Sequence, residues 1–375
     1  MISQVINLSN NKTFKLYKEK YNYSILFYPG LYGIEMRNIP VEYLNQNFRV
    51  NSENIFYTKD ELLLTGSIKE IIDVSHSLKL DESLKNEISK AITMIEQSEI
   101  IQYGIGKRRF DFKFVYVMGI LNVTPDSFSD GGRYIDKNKA LNHAIEMIDN
   151  GVDIIDIGGE STRPGSDTVS ESEELSRVIP VIIEILERKP DAILSIDTTK
   201  ANVAKEALKS GALIVNDISG GTFEPDIFNI VREFNSVIVL MHIKGKPKTM
   251  QSSPVYTDVV SEVYNYLAIQ CEIASRHRIE KIIIDPGIGF GKRTEDNLSL
   301  IDRLEDFKSL GFPIMIGLSR KTFIGNILNL SVEDRDDATN ALNSFSLCKG
   351  ARIIRTHNVK QAVQTCKLFN SVIKN

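Results

Sequence analysis

The chain has 375 residues, 42% hydrophobic and 25% charged, which excludes disorder along its whole length and supplies more core than one average domain needs. Its 45 Lys and Arg against 49 Asp and Glu leave a net charge of -4, so no global field draws nucleic acid or an anionic membrane, and an anionic ligand must be held by a local site. Three scattered cysteines (Cys271, Cys348, Cys366), a polar start from Met1 to Phe14 and no apolar run of about 18 residues exclude a disulfide framework, a secretory leader and a membrane span, and predict a cytoplasmic protein.

The predicted elements begin with a small α/β module over residues 1–98. Tyr23 to Tyr28, Ile55 to Tyr57 and Leu62 to Thr65 read as strands, and Ser67 to Ser77 and Asp81 to Gln97 as helices. In the second helix Asp81 is a candidate N-cap, and Leu84, Ile88, Ala91, Ile92 and Ile95 share one apolar face. The module shows no catalytic constellation and reads as a packing or oligomerisation element. Ile100 to Tyr103 and Arg109 to Phe114 then form a hairpin around Gly104 and Gly106, expected to cover the bottom of the domain that follows, residues 99–375.

From Val115 onward one unit repeats: a short β-branched run, a polar or glycine-rich turn, and an amphipathic stretch. The runs are Val115 to Leu121, Val152 to Ile157, Ala192 to Ile196, Leu213 to Val215, Val237 to Met241, Lys281 to Ile284, Pro313 to Ile316 and Ala351 to Ile354. Helices are predicted over Asn138 to Asp149, Glu171 to Glu187, Lys200 to Lys209, Asp258 to His277 and Glu295 to Lys308. Strands separated by helical crossovers are parallel, and eight such units fit a (β/α)8 TIM barrel, with an open doubly wound sheet as the alternative.

Active sites of such barrels sit at the C-terminal ends of the strands. Each run here ends in hydrogen-bonding or charged residues: Asn122 to Gly132, Gly158 to Gly165, Asp197 to Thr199, Asn216-Asp217, His242, Asp285 to Lys292, Ser319 to Lys321, and Arg355 to His357. Singly, Asp197 or Asn216 could be a helix N-cap; together they predict one small-molecule site. Asp197, Asn216 and Asp285 suit the donor and acceptor edge of a planar heterocycle. Arg163, Arg320, Lys321, Arg355 and His357 suit an anionic oxygen cluster such as pyrophosphate. Gly287 to Gly291 lacks the spacing of a dinucleotide fingerprint. The five histidines form no zinc pattern, whereas Mg²⁺, which needs few protein oxygens, remains open with Asn122 as a donor. No nucleophile pattern requires covalent catalysis.

These motifs, in this order from Val115 to the C-terminus, resemble the dihydropteroate synthase family; Asn122 to Gly132 and Glu160 to Gly165 are the most specific. The resemblance implies a transferase that joins (7,8-dihydropterin-6-yl)methyl diphosphate to 4-aminobenzoate, releasing pyrophosphate, with Mg²⁺ and a homodimeric assembly. It implies that Asp197, Asn216, Asp285, Lys321 and Arg355 bind the pterin, and that Asn122, Arg163, Arg355 and His357 hold the diphosphate, Asn122 also serving the metal. Phe128, Thr162, Arg163, Pro164, Phe290 and Thr322 would line the 4-aminobenzoate pocket, with Phe128 and Asp130 closing over the reacting carbon. The catalytic set it implies is Asn122, Asp130, Asp197, Lys321, Arg355 and His357.

Thr322 stands where the family often has serine, and Asn358 where aspartate commonly follows the histidine of the eighth strand; neither removes an expected ligand. The rival readings are a pterin-dependent methyltransferase and a catalytically silent pterin-binding paralogue. The module lies outside the resemblance, and truncation before about Ile100 is expected to leave the chemistry largely intact.

Overall fold

The computed structural model describes residues 2–9, 11–21, 31–39, 55–58, 60–77, 82–98, 100–123, 133–161, 166 and 168–374. The chain divides into two compact units, residues 1–100 with 303–312, and residues 101–302 with 313–375. The expected boundary near residue 98 thus meets a unit that also takes in a later ten-residue segment.

The first unit contains β1 (Ile2–Asn7), α1 (Asn11–Tyr21), β2 (Tyr32–Arg37), β3 (Ile55–Tyr57), β4 (Leu62–Gly66), α2 (Ile68–Ser77) and α3 (Glu82–Ser98). Its antiparallel sheet has the order β1-β2-β4-β3. One apolar cluster joins Val5, Ile34, Met36 and Leu64 of the sheet to Ile71, Ile88 and Ile92 of the two later helices. A second joins Ile6, Leu8 and Leu63 to Phe14, Tyr17 and Tyr21 of α1, so successive strand residues serve opposite faces. Two strands here, β1 and β2, and helix α1 were not predicted; the expected strand Tyr23 to Tyr28 and the cap Asp81 lie outside the described residues.

The second unit opens with the predicted hairpin, β5 (Gln102–Ile105) and β6 (Arg108–Asp111), turning at Gly106 with φ +57°. Its Tyr103, Ile105, Phe110 and Phe112 pack with Met118, Ile154, Val237, Ile283 and Ile353, residues in the lower part of the barrel strands. Tyr103 Oη donates to the Ile282 carbonyl at 2.8 Å. The hairpin therefore plugs the end of the barrel opposite the strand C-termini, as expected.

The barrel strands are β7 (Tyr116–Asn122), β8 (Ile154–Gly158), β9 (Leu194–Asp197), β10 (Ile214–Asp217), β11 (Val237–Met241), β12 (Ile282–Asp285), β13 (Ile314–Ile316) and β14 (Ala351–Thr356). They are parallel, pair in chain order, and close through β14 with β7. The (β/α)8 architecture predicted from the repeat is the one that forms. Most of these strands are buried on both faces, as parallel strands between helices and a filled interior must be.

The crossover helices are α4 (Arg133–Asp149), α5 (Glu171–Arg188), α6 (Ala201–Lys209), α7 (Ile227–Glu233), α8 (Val259–Arg276), α9 (Thr294–Asp302), α10 (Thr322–Leu328), α11 (Asp336–Cys348) and α12 (Val359–Lys374). Helix α5 shows why they start where they do. Ser170 Oγ accepts from the Glu173 amide at 3.2 Å, three acidic residues occupy the first turn, and Val178, Ile182 and Ile185 form the buried stripe. Two boundaries differ from expectation. Helix α4 begins five residues early, and the helix expected over Glu295 to Lys308 stops at Asp302, giving way to a 3₁₀ segment, Leu304–Leu310, that ends at Gly311 with φ +78°. Leu304, Asp306 and Phe307 of that segment are buried within the first unit, so packing there overrides the α-helical period.

Candidate functional site

Parallel pairing sets the site's layers. Asn122 lies opposite Gly158, Gly158 opposite Asp197, and Asp197 opposite Asn216, so the ends of β7 to β10 share one level. Asp156 shares the face of Gly158 one layer deeper, because strand side chains alternate with period two. Arg355, from β14, reaches across to this group: Nε donates to Asp156 Oδ2 at 2.7 Å and Nη2 to Asp197 Oδ2 at 2.6 Å. Asn216 Nδ2 donates to the same Asp156 oxygen at 2.8 Å.

These groups are out of water: Asp156 and Asn216 are 0% and 2% exposed, and Asp197 is 7% exposed. Burial lifts the Asp197 carboxyl to about 7; Arg355 opposes the rise, while Asp156, Glu174 and Asp217 reinforce it. Burial alone would lower the Arg355 guanidinium, but Asp156 and Asp197 more than offset this, and it stays a cation. Three buried oxygens, Asp156 Oδ1, Asp197 Oδ1 and Asn216 Oδ1, have no hydrogen-bond partner among the described residues. Buried acceptors without donors are costly unless a ligand supplies the hydrogen.

Asp285, from β12, is 4% exposed and accepts from the Gly287 amide at 2.7 Å; burial raises its pKa. Lys321 sits near this carboxylate with Nζ 4.1 Å from the Phe290 ring centroid, and burial, aided by the nearby Arg355 charge, lowers it to about 8. The β12 loop is shaped by backbone rather than by side chains. A Cβ on Gly287, whose φ is +68°, would lie 1.9 Å from the His242 carbonyl oxygen, so only glycine passes there. Lys292, 3% exposed, pins the loop by donating to the carbonyls of Gly287 at 2.8 Å and Phe290 at 3.0 Å, and it also meets His242 Nδ1 at 2.9 Å. Burial takes Lys292 down to about 7, and burial together with that lysine holds His242 well below its ordinary value. His242 and Lys292 thus form the loop's internal brace.

His357 Nδ1 lies 2.9 Å from Ser319 Oγ, which also accepts from the His357 amide, so the ends of β13 and β14 are tied together. Phe290 is buried with Met241 and Met250, and Thr322 is exposed at the first turn of α10. Arg320 was expected among the anion donors, but it forks onto Asp336 at 2.7 and 2.9 Å; a left-handed φ of +55° turns it toward α11. Asp217, next to Asn216, accepts from Ser219 and from the Gly221 amide and serves the turn. Glu160 pairs with Lys200, which also binds the buried Glu174 at 2.5 Å, anchoring the loop after β8. Phe128, Asp130, Thr162, Arg163 and Pro164 lie outside the described residues.

Asp156 was not predicted. Its signal was an acid inside the apolar run Ile154–Ile157, on the inward face of a strand, where a carboxylate requires a partner. No cluster of three or more His, Cys, Asp or Glu able to cage a metal occurs among the described residues. Asn122 offers one hard amide oxygen: a Cβ built on Gly158 would lie 3.7 Å from Asn122 Oδ1 and 3.8 Å from Asp197 Oδ2, so both oxygens border the space over that glycine. Such a donor set fits Mg²⁺, which keeps waters and takes substrate oxygens, and does not fit zinc.

The Pterin binding enzyme family model matches residues 118–357. A Synechocystis sp. protein named dihydropteroate synthase is 46% identical over 272 residues, covering 72% of this chain and 94% of that one. The solved dihydropteroate synthase of Yersinia pestis, in a sulfonamide drug complex, superposes with a TM-score of 0.69 at 38% identity, covering 73% of this chain and 100% of that one. That of Xanthomonas albilineans with 7,8-dihydropteroate gives 0.65 at 34% identity, covering 72% and 98%. With the family model matched over residues 118–357 and relatives matched over nearly their full length, the chain belongs to the dihydropteroate synthase family of pterin-binding enzymes.

Proposed function

We propose that this rim condenses (7,8-dihydropterin-6-yl)methyl diphosphate with 4-aminobenzoate, giving 7,8-dihydropteroate and pyrophosphate in folate biosynthesis. The observation that carries the proposal is the pair of buried oxygens, Asp197 Oδ1 and Asn216 Oδ1, that have no partner among the described residues, beside Asp285, Lys321 and Arg355. A bicyclic ring bearing several N–H groups supplies the donors those acceptors lack. Asp197, Asn216 and Asp285 take the ring edge, while Lys321 and Arg355 bring positive charge to the same ring. Asn122, Arg163, Arg355 and His357 receive the diphosphate.

In this reading the bond between the pterin methylene carbon and the diphosphate oxygen breaks first, and the electron pair leaves with the diphosphate. The dihydropterin ring delocalises the resulting cation, the 4-aminobenzoate nitrogen then bonds to the methylene carbon, and that nitrogen sheds a proton to solvent. Arg355 and His357 stabilise the leaving charge through donors already in place, a contribution of several kcal/mol in preorganised sites. Mg²⁺, when held by Asn122 and substrate oxygens, adds charge neutralisation on the diphosphate. Phe290, Thr322, Phe128, Thr162, Arg163 and Pro164 form the arylamine pocket, and Asp130 with Phe128 excludes water from the cation. No nucleophilic side chain is needed.

The further reading is a cytoplasmic homodimer whose module at residues 1–98 serves packing or assembly. No described helix is long and apolar enough to cross a membrane, and Leu368 and Val372 on α12 are 72% and 76% exposed, which supports assembly through that helix.

The test is a two-substrate assay on the purified full chain. Pyrophosphate and dihydropteroate are expected together, only with both substrates, and are lost when EDTA removes the metal. Tight binding of the pterin diphosphate without dihydropteroate would leave the silent-paralogue reading standing. A second expectation concerns pH. Asp197 must be ionised to accept from the ring and to pair with Arg355, so kcat/KM for the pterin substrate falls as pH drops through about 7. Lys321 must be charged, so it falls again as pH rises through about 8. Asp197→Asn should abolish the acid limb; an acid limb that persists unchanged would assign it to another group.

A further inference from the structure

We infer that Asp156 is a positioning residue that sets what the pterin edge meets, by fixing the Asn216 amide and the Arg355 guanidinium at the same time. The inference rests on the pterin reading above. Asp156 Oδ2 accepts from Asn216 Nδ2 at 2.8 Å and from Arg355 Nε at 2.7 Å, so one oxygen on β8 ties β10 to β14 across the barrel interior.

The consequence for Asn216 is chemical. The Asp156 oxygen that accepts from Arg355 has no hydrogen to give, so the opposite amide orientation would set two acceptors against each other inside a dry site. The amide is therefore locked with Nδ2 toward Asp156, and its Oδ1, which has no partner among the described residues, faces a ligand as an acceptor only. Arg355 is fixed in the same way. Its Nε is taken by Asp156 and its Nη2 by Asp197 at 2.6 Å, and two carboxylates on neighbouring strands define the guanidinium plane. A guanidinium held at two corners presents its face and its remaining N–H groups in a set direction.

Asp156 is 0% exposed and lies one layer below Asp197 and Asn216, so it acts through these neighbours. It selects ligands that bring N–H donors to Asn216, and it keeps the cation registered between ring and diphosphate. Asp156→Asn keeps the shape but supplies an amide able to donate, so it allows the Asn216 amide to turn over and weakens the tie to Arg355.

The test measures binding of 6-hydroxymethyl-7,8-dihydropterin by calorimetry, and the KM of each substrate, in the full-length protein. Asp156→Asn should weaken pterin binding about 10- to 100-fold, the range expected when a charged hydrogen-bonding partner is lost. The KM for 4-aminobenzoate at saturating pterin diphosphate should stay near the wild-type value. In a double-mutant cycle, Asn216→Ala should cost less in the Asp156→Asn background than in the wild type, because the amide is no longer fixed there. Unchanged pterin binding in Asp156→Asn, or strictly additive losses in the cycle, overturns the inference. Thermal unfolding identifies misfolded variants; if Asp156→Asn does not fold, Asp156→Ser carries the same expectations. Wild-type protein that fails to bind the pterin would overturn the pterin reading itself, whereas normal wild-type binding with an indifferent Asp156→Asn overturns only this role.

Discussion

Arg355→Ala is expected to abolish detectable pterin binding and to lower kcat/KM by about three orders of magnitude, the scale of losing a preorganised charge donor at a reacting centre. The effect has two physical parts. The guanidinium is removed from ring and leaving group, and the carboxylates of Asp156 and Asp197 lose the cation that both contact. Those acids are buried, so stability should also fall, by about 3 kcal/mol on the scale for removing one partner of a buried ion pair. Asp197 would then take up its proton at a still higher pH, since Arg355 is the group that pulls its pKa down. Arg355→Lys should recover stability better than activity, because an ammonium supplies charge but not the planar fork that spans two carboxylates. Calorimetric pterin binding and denaturant unfolding of both variants separate the two parts. Pterin binding close to wild type in a folded Arg355→Ala protein would remove the guanidinium from the site.

The barrel could be read from the sequence because its strands are buried on both faces and leave continuous apolar runs, Val237 to Met241 and Ile282 to Ile284 among them. The rim could be read because every run ends in a polar group and the topology decides that these ends meet. Direction was harder. Arg320 and Lys321 are sequence neighbours at one strand end, yet a left-handed backbone turns the first onto Asp336 while the second lies over Phe290. Asp156 was hidden by flanking isoleucines, since a hydrophobic run absorbs one acid without changing its period. In the module, β2 does not read as a strand from its sequence because it carries Glu35 and Arg37. Both are buried, and Glu35 is held by Arg37, Lys20, Tyr17 and Tyr21. Charges inside a strand look like loop until their partners are known.

Deletion of residues 1–100 is expected to lower the thermal midpoint by about 10 °C or more, the shift that a loss of several kcal/mol produces in a chain of this length. None of the residues assigned to pterin or arylamine lies in the deleted part, and on that ground the sequence predicts intact chemistry. The packing changes the expectation. Residues 303–312, which lead from α9 into β13, belong to the compact unit of the deleted segment. Asp306 Oδ1 accepts from the Asn7 amide at 3.2 Å, Ser309 Oγ from the Val5 amide at 3.2 Å, and Arg303 Nη2 donates to Tyr17 Oη at 3.3 Å. Leu304 and Phe307 are 0% exposed, so deletion lays bare a leucine, a phenylalanine and the Arg303–Asp306 pair together. Exposed apolar surface of this kind also favours aggregation. Replacing Leu304 and Phe307 by serine in the truncated chain should restore solubility, because their apolar burial has already been lost. Turnover per folded molecule should then stay close to that of the full chain, since the catalytic ends of β7 to β14 are untouched. Scanning calorimetry and activity at matched folded fractions check both halves; a truncated chain that melts like the full-length protein would show that residues 303–312 need no partner.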